Sequence, residues 1–192
     1  MTPIQAFGEA AATWQSFYLL VGGAAATLIG LMFVAVTFGA SLLTPETTTT
    51  ARSFLDPTFA HFVQVLFTAC LIVIPTMSPM LLGVLLLAVA ALRGSVLLRV
   101  VRHMREAQQR HNDIEWSDWL SGVIVPAFAY LLLAASGVAF VSNYAIAFTG
   151  LVVVTLVTLM NGVLGAWELM VWMAVSRARA RAGGQADEDE AV

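Results

Sequence analysis

The stretch Pro79–Arg110 constrains this chain most, because an apolar helix long enough to cross a bilayer turns into a basic one without a break in periodicity. Met80 to Leu92 reads MLLGVLLLAVAAL, and Arg93, Arg99, Arg102, Arg105 and Arg110 follow on the same helix. A crossing needs about 20 predominantly apolar residues, and arginines collect on the cytoplasmic side of short loops. The transition therefore predicts both a crossing and its direction.

The rest of the chain is of the same kind. Of 192 residues 59% are hydrophobic and only 11% charged, with a mean hydropathy of +0.85, whereas about a quarter of the residues of a soluble domain are charged. The expected fold is an all-α integral membrane protein with a single five-helix membrane domain over 14–176. The net charge of -3 hides segregation, since it sums nine arginines and no lysine with an acidic tail. Cys70 is the one cysteine and lies inside an apolar run, so no intrachain disulfide can form. It reads as a small buried hydrophobe.

Residues 1–13 carry one charge, Glu9, and form a short extracytoplasmic N-terminus; with no basic region, and with too long an apolar stretch behind it, the segment does not read as a cleaved signal. The first crossing is expected over 14–43, with Trp14, Phe17 and Tyr18 marking its interfacial end. Thr44-Pro45-Glu46 then has the chemistry of a helix start, a cap followed by proline at the first helical position and an acid near the positive end of the dipole. The second crossing runs over 47–75 through Pro57. Ser78-Pro79 repeats the cap-plus-proline signal and opens the third, 79–102, so the second and third form a tight hairpin through Thr76 and Met77. A basic cytoplasmic extension covers 99–115. The chain re-enters at Trp116 to Trp119, and the fourth crossing, 117–141, contains Pro126 as an expected kink. After a tight turn at Ser142-Asn143-Tyr144 the fifth crossing covers 145–175, long enough to tilt or project beyond the bilayer. Residues 177–192 form a cytoplasmic tail, arginines first and acids after, too polar and too short to fold alone.

With five crossings, Arg52, the five arginines from Arg93 to Arg110, and Arg177, Arg179 and Arg181 all fall on one side, and the N-terminus and both tight turns have none. The positive-inside rule then predicts an N-terminus outside and a C-terminus in the cytoplasm, and the expected location is a bacterial-type inner (plasma) membrane. Counts of four or six would break this segregation.

Two internal similarities suggest a parallel repeat. Pro57-Thr58-Phe59-Ala60-His61-Phe62 resembles Pro126-Ala127-Phe128-Ala129-Tyr130-Leu131, and Leu92-Arg93-Gly94 answers Met160-Asn161-Gly162. The implied architecture is one helix plus two helical hairpins related by an axis along the membrane normal; the alternative is chance similarity within a small apolar alphabet. Depth follows from the outer turns: His61 and Arg93 fall roughly 20 Å in, Tyr130 alongside and Asn161 slightly deeper, with Asp56 and Glu168 at roughly 27 and 36 Å.

His61, Gln64, Arg93, Tyr130 and Asn161 are thus candidates for a polar layer lining a pathway. His61, Gln64 and Thr68 share a helix face that either bonds neighbouring helices or lines a wet path where His61 titrates. Arg93 either snorkels to the headgroups or pairs with Asp56 or Glu168, and Glu168, between Trp167 and Trp172, has the setting of an interfacial anchor. Gly22, Ala26 and Gly30 on the first helix, and Gly162 and Gly165 on the fifth, form small-residue packing faces, used within one chain or in a homo-oligomer. Arg99, Arg102 and Arg105 stop transfer and hold orientation, or bind anionic lipid headgroups.

Absences limit the chemistry. One histidine at bilayer depth cannot hold a haem by two, no lysine is available for a retinal Schiff base, and paired deep carboxylates, a zinc helix, a nucleophile elbow, a phosphate loop and spaced cysteine ligands are missing. No enzyme, cofactor, metal or nucleic-acid partner is expected. Two classes remain: a homo-oligomeric channel or carrier for an ion or small solute, and a non-transporting subunit that binds a partner protein or lipid.

Overall fold

A computed structural model describes residues 3–39, 45–74, 77–108, 123–142 and 146–190. Five helices occupy them: α1 (Pro3–Gly39), α2 (Pro45–Val73), α3 (Pro79–Gln108), α4 (Val125–Val141) and α5 (Ala147–Glu190). No strand occurs among the described residues. Four stretches are long and apolar enough to cross a membrane, Phe7–Gly39, Leu55–Val73, Pro79–Arg102 and Ala147–Ala178, and α4 is a shorter apolar helix of 17 residues. The chain is an all-α membrane protein.

The local signals for helix starts are realised where they can be seen. α2 opens on Pro45 and α3 on Pro79. Ser78 caps α3, its hydroxyl accepting from the Leu81 backbone N–H at 3.2 Å, which satisfies one of the orphan donors of a helix N-terminus. Thr44, Thr76, Asn143, Tyr144 and the whole of 109–122, with the expected re-entry at Trp116 to Trp119, lie outside the described residues.

Pro126 stands in the first turn of α4, directly after two residues of π-helix, Val123 and Ile124, and the segment before these, on which an expected kink depends, lies outside the described residues. Other expectations are corrected. α1 begins at Pro3, eleven residues before the expected crossing at Trp14, because Ala and Gln continue a helix readily. Residues 177–190 continue α5 rather than trailing from it, for the same reason in an Ala/Arg/Glu-rich sequence. At about 1.5 Å per residue α1 and α5 are about 55 and 66 Å long, well beyond the roughly 30 Å hydrocarbon thickness.

The helices resolve into two compact units, the first made of Met1–Gly22 and Phe67–Thr158, the second of Gly23–Leu66 and Leu159–Val192. In the first unit Tyr18, Leu82, Leu86, Leu133 and Leu151 are completely buried. α3 and α4 approach closely at a pair of glycines. A Cβ on Gly83 would stand 2.6 Å from the Gly137 carbonyl oxygen, and one on Gly137 would stand 3.0 Å from that of Gly83, so each residue is a glycine because the other helix's backbone fills its side-chain space. At one end of this unit Phe7 packs on Phe140 (centroids 6.1 Å) and Phe148 (5.4 Å), which meet each other edge to face at 5.0 Å. Of the aromatic triplet read as an interfacial belt, Trp14 and Phe17 are half-exposed and only Tyr18 turns inward: Trp14 leads to Phe17 and Phe17 to Tyr18 at 5.1 Å, and Tyr18 is 0% exposed with its hydroxyl directed at Thr155, short of full hydrogen-bond geometry.

In the second unit the core is Ala25, Phe62, Val65 and Leu169. Here α5 receives α2 side chains into its glycines. A Cβ on Gly162 would lie 2.6 Å from the Phe62 ring, and one on Gly165 would overlap the Thr58 hydroxyl. Arg177 of α5 donates to the Phe38 carbonyl at 2.7 Å and so caps the last turn of α1, a carbonyl that α1 itself leaves unpaired.

A candidate polar site in the spanning helices

α2 carries the densest set of buried polar groups. Thr58, His61, Gln64 and Thr68 are all buried, at spacings of three, three and four that place them on one face. The opposite face, Phe59, Val63, Phe67 and Cys70, is exposed to the surroundings. Cys70 is therefore not the buried hydrophobe expected: two residues past Thr68 it has rotated about 200° away from the packed side. Thr58 was not singled out from the sequence, although its position three residues before His61 puts it on the same stripe.

Gln64 differs from its neighbours on the stripe. It is 6% exposed, and its Oε1 is sealed with no hydrogen-bond partner. Two buried hydroxyls elsewhere are satisfied locally, Ser136 donating to the Leu132 carbonyl at 2.9 Å and Thr155 to the Leu151 carbonyl at 2.8 Å, the usual way a hydroxyl is carried through a membrane helix; those of Tyr18 and Thr158 are, like the Gln64 oxygen, buried without a partner. An amide oxygen has no proton to donate and cannot use that solution.

In the first unit Arg93 and Tyr130 are brought together. The guanidinium carbon lies 5.5 Å from the centroid of the Tyr130 ring, within cation–π range. Arg93 is half-buried and Tyr130 buried, and the Arg93 Nε is sealed without a hydrogen-bond partner. The other members of the expected layer belong to the second unit: His61 and Gln64 on α2 and Asn161, half-buried, on α5. So do the two proposed carboxylate partners of Arg93, Asp56 and Glu168, both exposed.

The small-residue faces divide. Gly22 packs within the chain, where a Cβ would meet that of Ala69 at 2.8 Å, and Gly162 and Gly165 pack as described. Gly23 and Gly30 have nothing within 4 Å, and Ala26 is exposed. Of the basic extension, Arg99 and Arg102 are exposed, Arg99 lying along its own helix with Nε 3.4 Å from the Ser95 carbonyl; the Arg105 side chain is outside the described residues. The repeat similarity is partial in environment: His61 and Tyr130 both point inward and Phe59 and Phe128 outward, but Phe62 is 0% exposed where Leu131 is 71%, and Gly94 faces open space where Gly162 is filled.

No protein-family model matches the chain, and no curated protein and no solved structure is significantly similar to it.

Proposed function

We propose that this small polytopic membrane protein is a homo-oligomeric channel or carrier for an ion or small solute, with its polar layer toward the cytoplasmic side. The observation that carries this reading is Gln64. Its amide oxygen is buried and unpartnered on a spanning helix, which costs about 1–3 kcal/mol even in a protein interior. A passing cation, polar solute or water on the Thr58–His61–Gln64–Thr68 face supplies the missing partner, and the Arg93 guanidinium over Tyr130 offers a second polar group at bilayer depth. Polar groups held inside membrane helices are characteristic of solute pathways.

The topology that goes with this reading has five crossings. α4 has 17 described residues, about 26 Å of helix, at the lower end of what spans a bilayer. Counting it as a crossing keeps all nine arginines on the cytoplasmic side of an inner membrane, N-terminus outside. The α1 face of Gly23, Ala26 and Gly30, left open by the chain itself, is the surface through which copies associate.

That same open face favours the second reading, a non-transporting subunit docking a partner helix there. The two separate on reconstitution in liposomes with ion flux followed across pH. Under the first, His61→Ala changes flux or its pH dependence; under the second it changes only stability or assembly. Unaltered flux in a folded His61→Ala variant removes His61 from the pathway.

A further inference from the structure

Among the described residues of the second unit, the buried polar groups are Thr58, His61 and Gln64 of α2. They offer a hydroxyl, an imidazole and a carboxamide, none of which carries a negative charge near neutral pH. The group left unmet is a lone pair, since the Gln64 Oε1 is sealed with no hydrogen-bond partner. An amide oxygen only accepts, so what completes it is a donor. Because the atom is sealed within a single chain, a second copy cannot reach it to add a charge, and a guest at Gln64 sits inside a protomer rather than on an axis between protomers.

Charge decides against ions at this position. A cation stripped of its water is costly even in a relaxed protein interior, and potassium filters offset that cost with rings of carbonyl oxygens; one carboxamide oxygen beside a hydroxyl and an imidazole does not. An anion meets the Gln64 lone pair directly and is repelled. An uncharged donor has no such desolvation cost and supplies the one hydrogen bond that Gln64 lacks. Room is short as well. Phe62 and Val65 on the same helix are fully buried, the Phe62 ring fills the space over Gly162, and the Thr58 hydroxyl fills that over Gly165. A guest of a few heavy atoms therefore displaces least.

We infer, on the channel or carrier reading proposed above, that the solute is a small uncharged hydrogen-bond donor of the class of water, ammonia and urea, and that the Gln64 Oε1 accepts a hydrogen bond from it as it passes α2. Gln64 then serves as a single acceptor station in a passage otherwise walled by apolar side chains. A neutral O–H or N–H exchanges one hydrogen bond in water for one to the carboxamide, whereas an ion needs several oxygens at once and stays in water.

The test is the full chain reconstituted in liposomes, with water and urea permeation followed by stopped-flow light scattering, ammonia entry by a trapped pH dye, and potassium and chloride movement by ion-selective electrodes. Wild type is expected to pass at least one of the three neutral solutes faster than protein-free vesicles do, and to carry neither ion. Gln64→Met keeps the length of the side chain and removes the acceptor. It is expected to slow that permeation about fivefold to tenfold, the range one hydrogen bond supports, without a lower thermal midpoint, because an unmet buried group has been removed. Ion movement through wild type overturns the inference and leaves the channel or carrier reading standing; movement of none of these species overturns both. Neutral permeation unchanged in Gln64→Met also overturns the inference. Wild type alone decides the charge class, so that result does not depend on how the variant folds.

Discussion

Glycine brings helices together in both units, but by different means. Between α3 and α4, Gly83 and Gly137 meet backbone to backbone, each occupying the space of the other's missing side chain. Between α5 and α2, Gly162 and Gly165 receive side chains, the ring of Phe62 and the hydroxyl of Thr58. The first contact has no slack, because a carbonyl in a helix cannot turn aside. The second has some, because a ring or a hydroxyl can rotate. The difference shows where the protein tolerates change: the rigid crossing is apolar, and the adjustable one lies beside the buried polar stripe of α2.

The largest expected effect tests the rigid contact. Gly83→Ala forces the α3 and α4 backbones apart and should destabilise by about 2–3 kcal/mol, the upper part of the range for overpacking, seen as a lowered thermal midpoint in detergent. Gly162→Ala should cost about 1–2 kcal/mol, since Phe62 can shift and alanine returns some helix propensity. If Gly162→Ala proves the more damaging of the two, the contrast drawn above is wrong.

A double-mutant cycle sharpens the second contact. Gly165→Ala should be destabilising alone and largely rescued by Thr58→Ala, with a coupling of about 1 kcal/mol, because the added methyl then occupies the space of the Thr58 hydroxyl. Additive effects would mean that Thr58 is not what limits Gly165. Weaker still is the Arg93 contact: Tyr130→Phe keeps an aromatic face and should be nearly silent, whereas Tyr130→Leu should cost about 0.5–2 kcal/mol through the lost cation–π interaction. The smallest effect belongs to Gly30→Ala, which meets nothing within the chain and should be neutral or stabilising by up to about 1 kcal/mol from helix propensity. A fall in oligomer mass for this variant in nanodiscs, by mass photometry, would identify the open α1 face as the subunit interface.

What could be read from the sequence was what local chemistry decides. Ser78-Pro79 is legible because the cap and the proline act on the turn they belong to, and the apolar runs are legible because a bilayer demands them of each segment separately. Pro126 is ambiguous from sequence because proline both kinks a helix and starts one, and the choice turns on where the helix begins. Tyr18 and Cys70 were misread because facing depends on partners: Tyr18 is drawn in beside Thr155, and Cys70 falls on the outer side once Thr58, His61, Gln64 and Thr68 face inward. Gly83 and Gly137 passed unnoticed because they matter only once α3 and α4 are known to meet. Of the candidate polar layer, His61 and Gln64 were evident from spacing on one helix, and the Arg93–Tyr130 pairing followed only from the assembled unit.

The central claim is that the α2 stripe is wet, and it can be tested without knowing the solute. In a Cys70→Ser background, which has no other cysteine, Gln64→Cys is exposed in intact membranes to a membrane-impermeant, thiolate-selective reagent, with Phe67→Cys on the opposite face as the control. The account predicts that position 64 is modified, because thiolate forms only where water reaches, while position 67 in lipid stays inert. Inertness at position 64 in a folded protein would contradict the account and leave the stripe as a dry polar contact between helices.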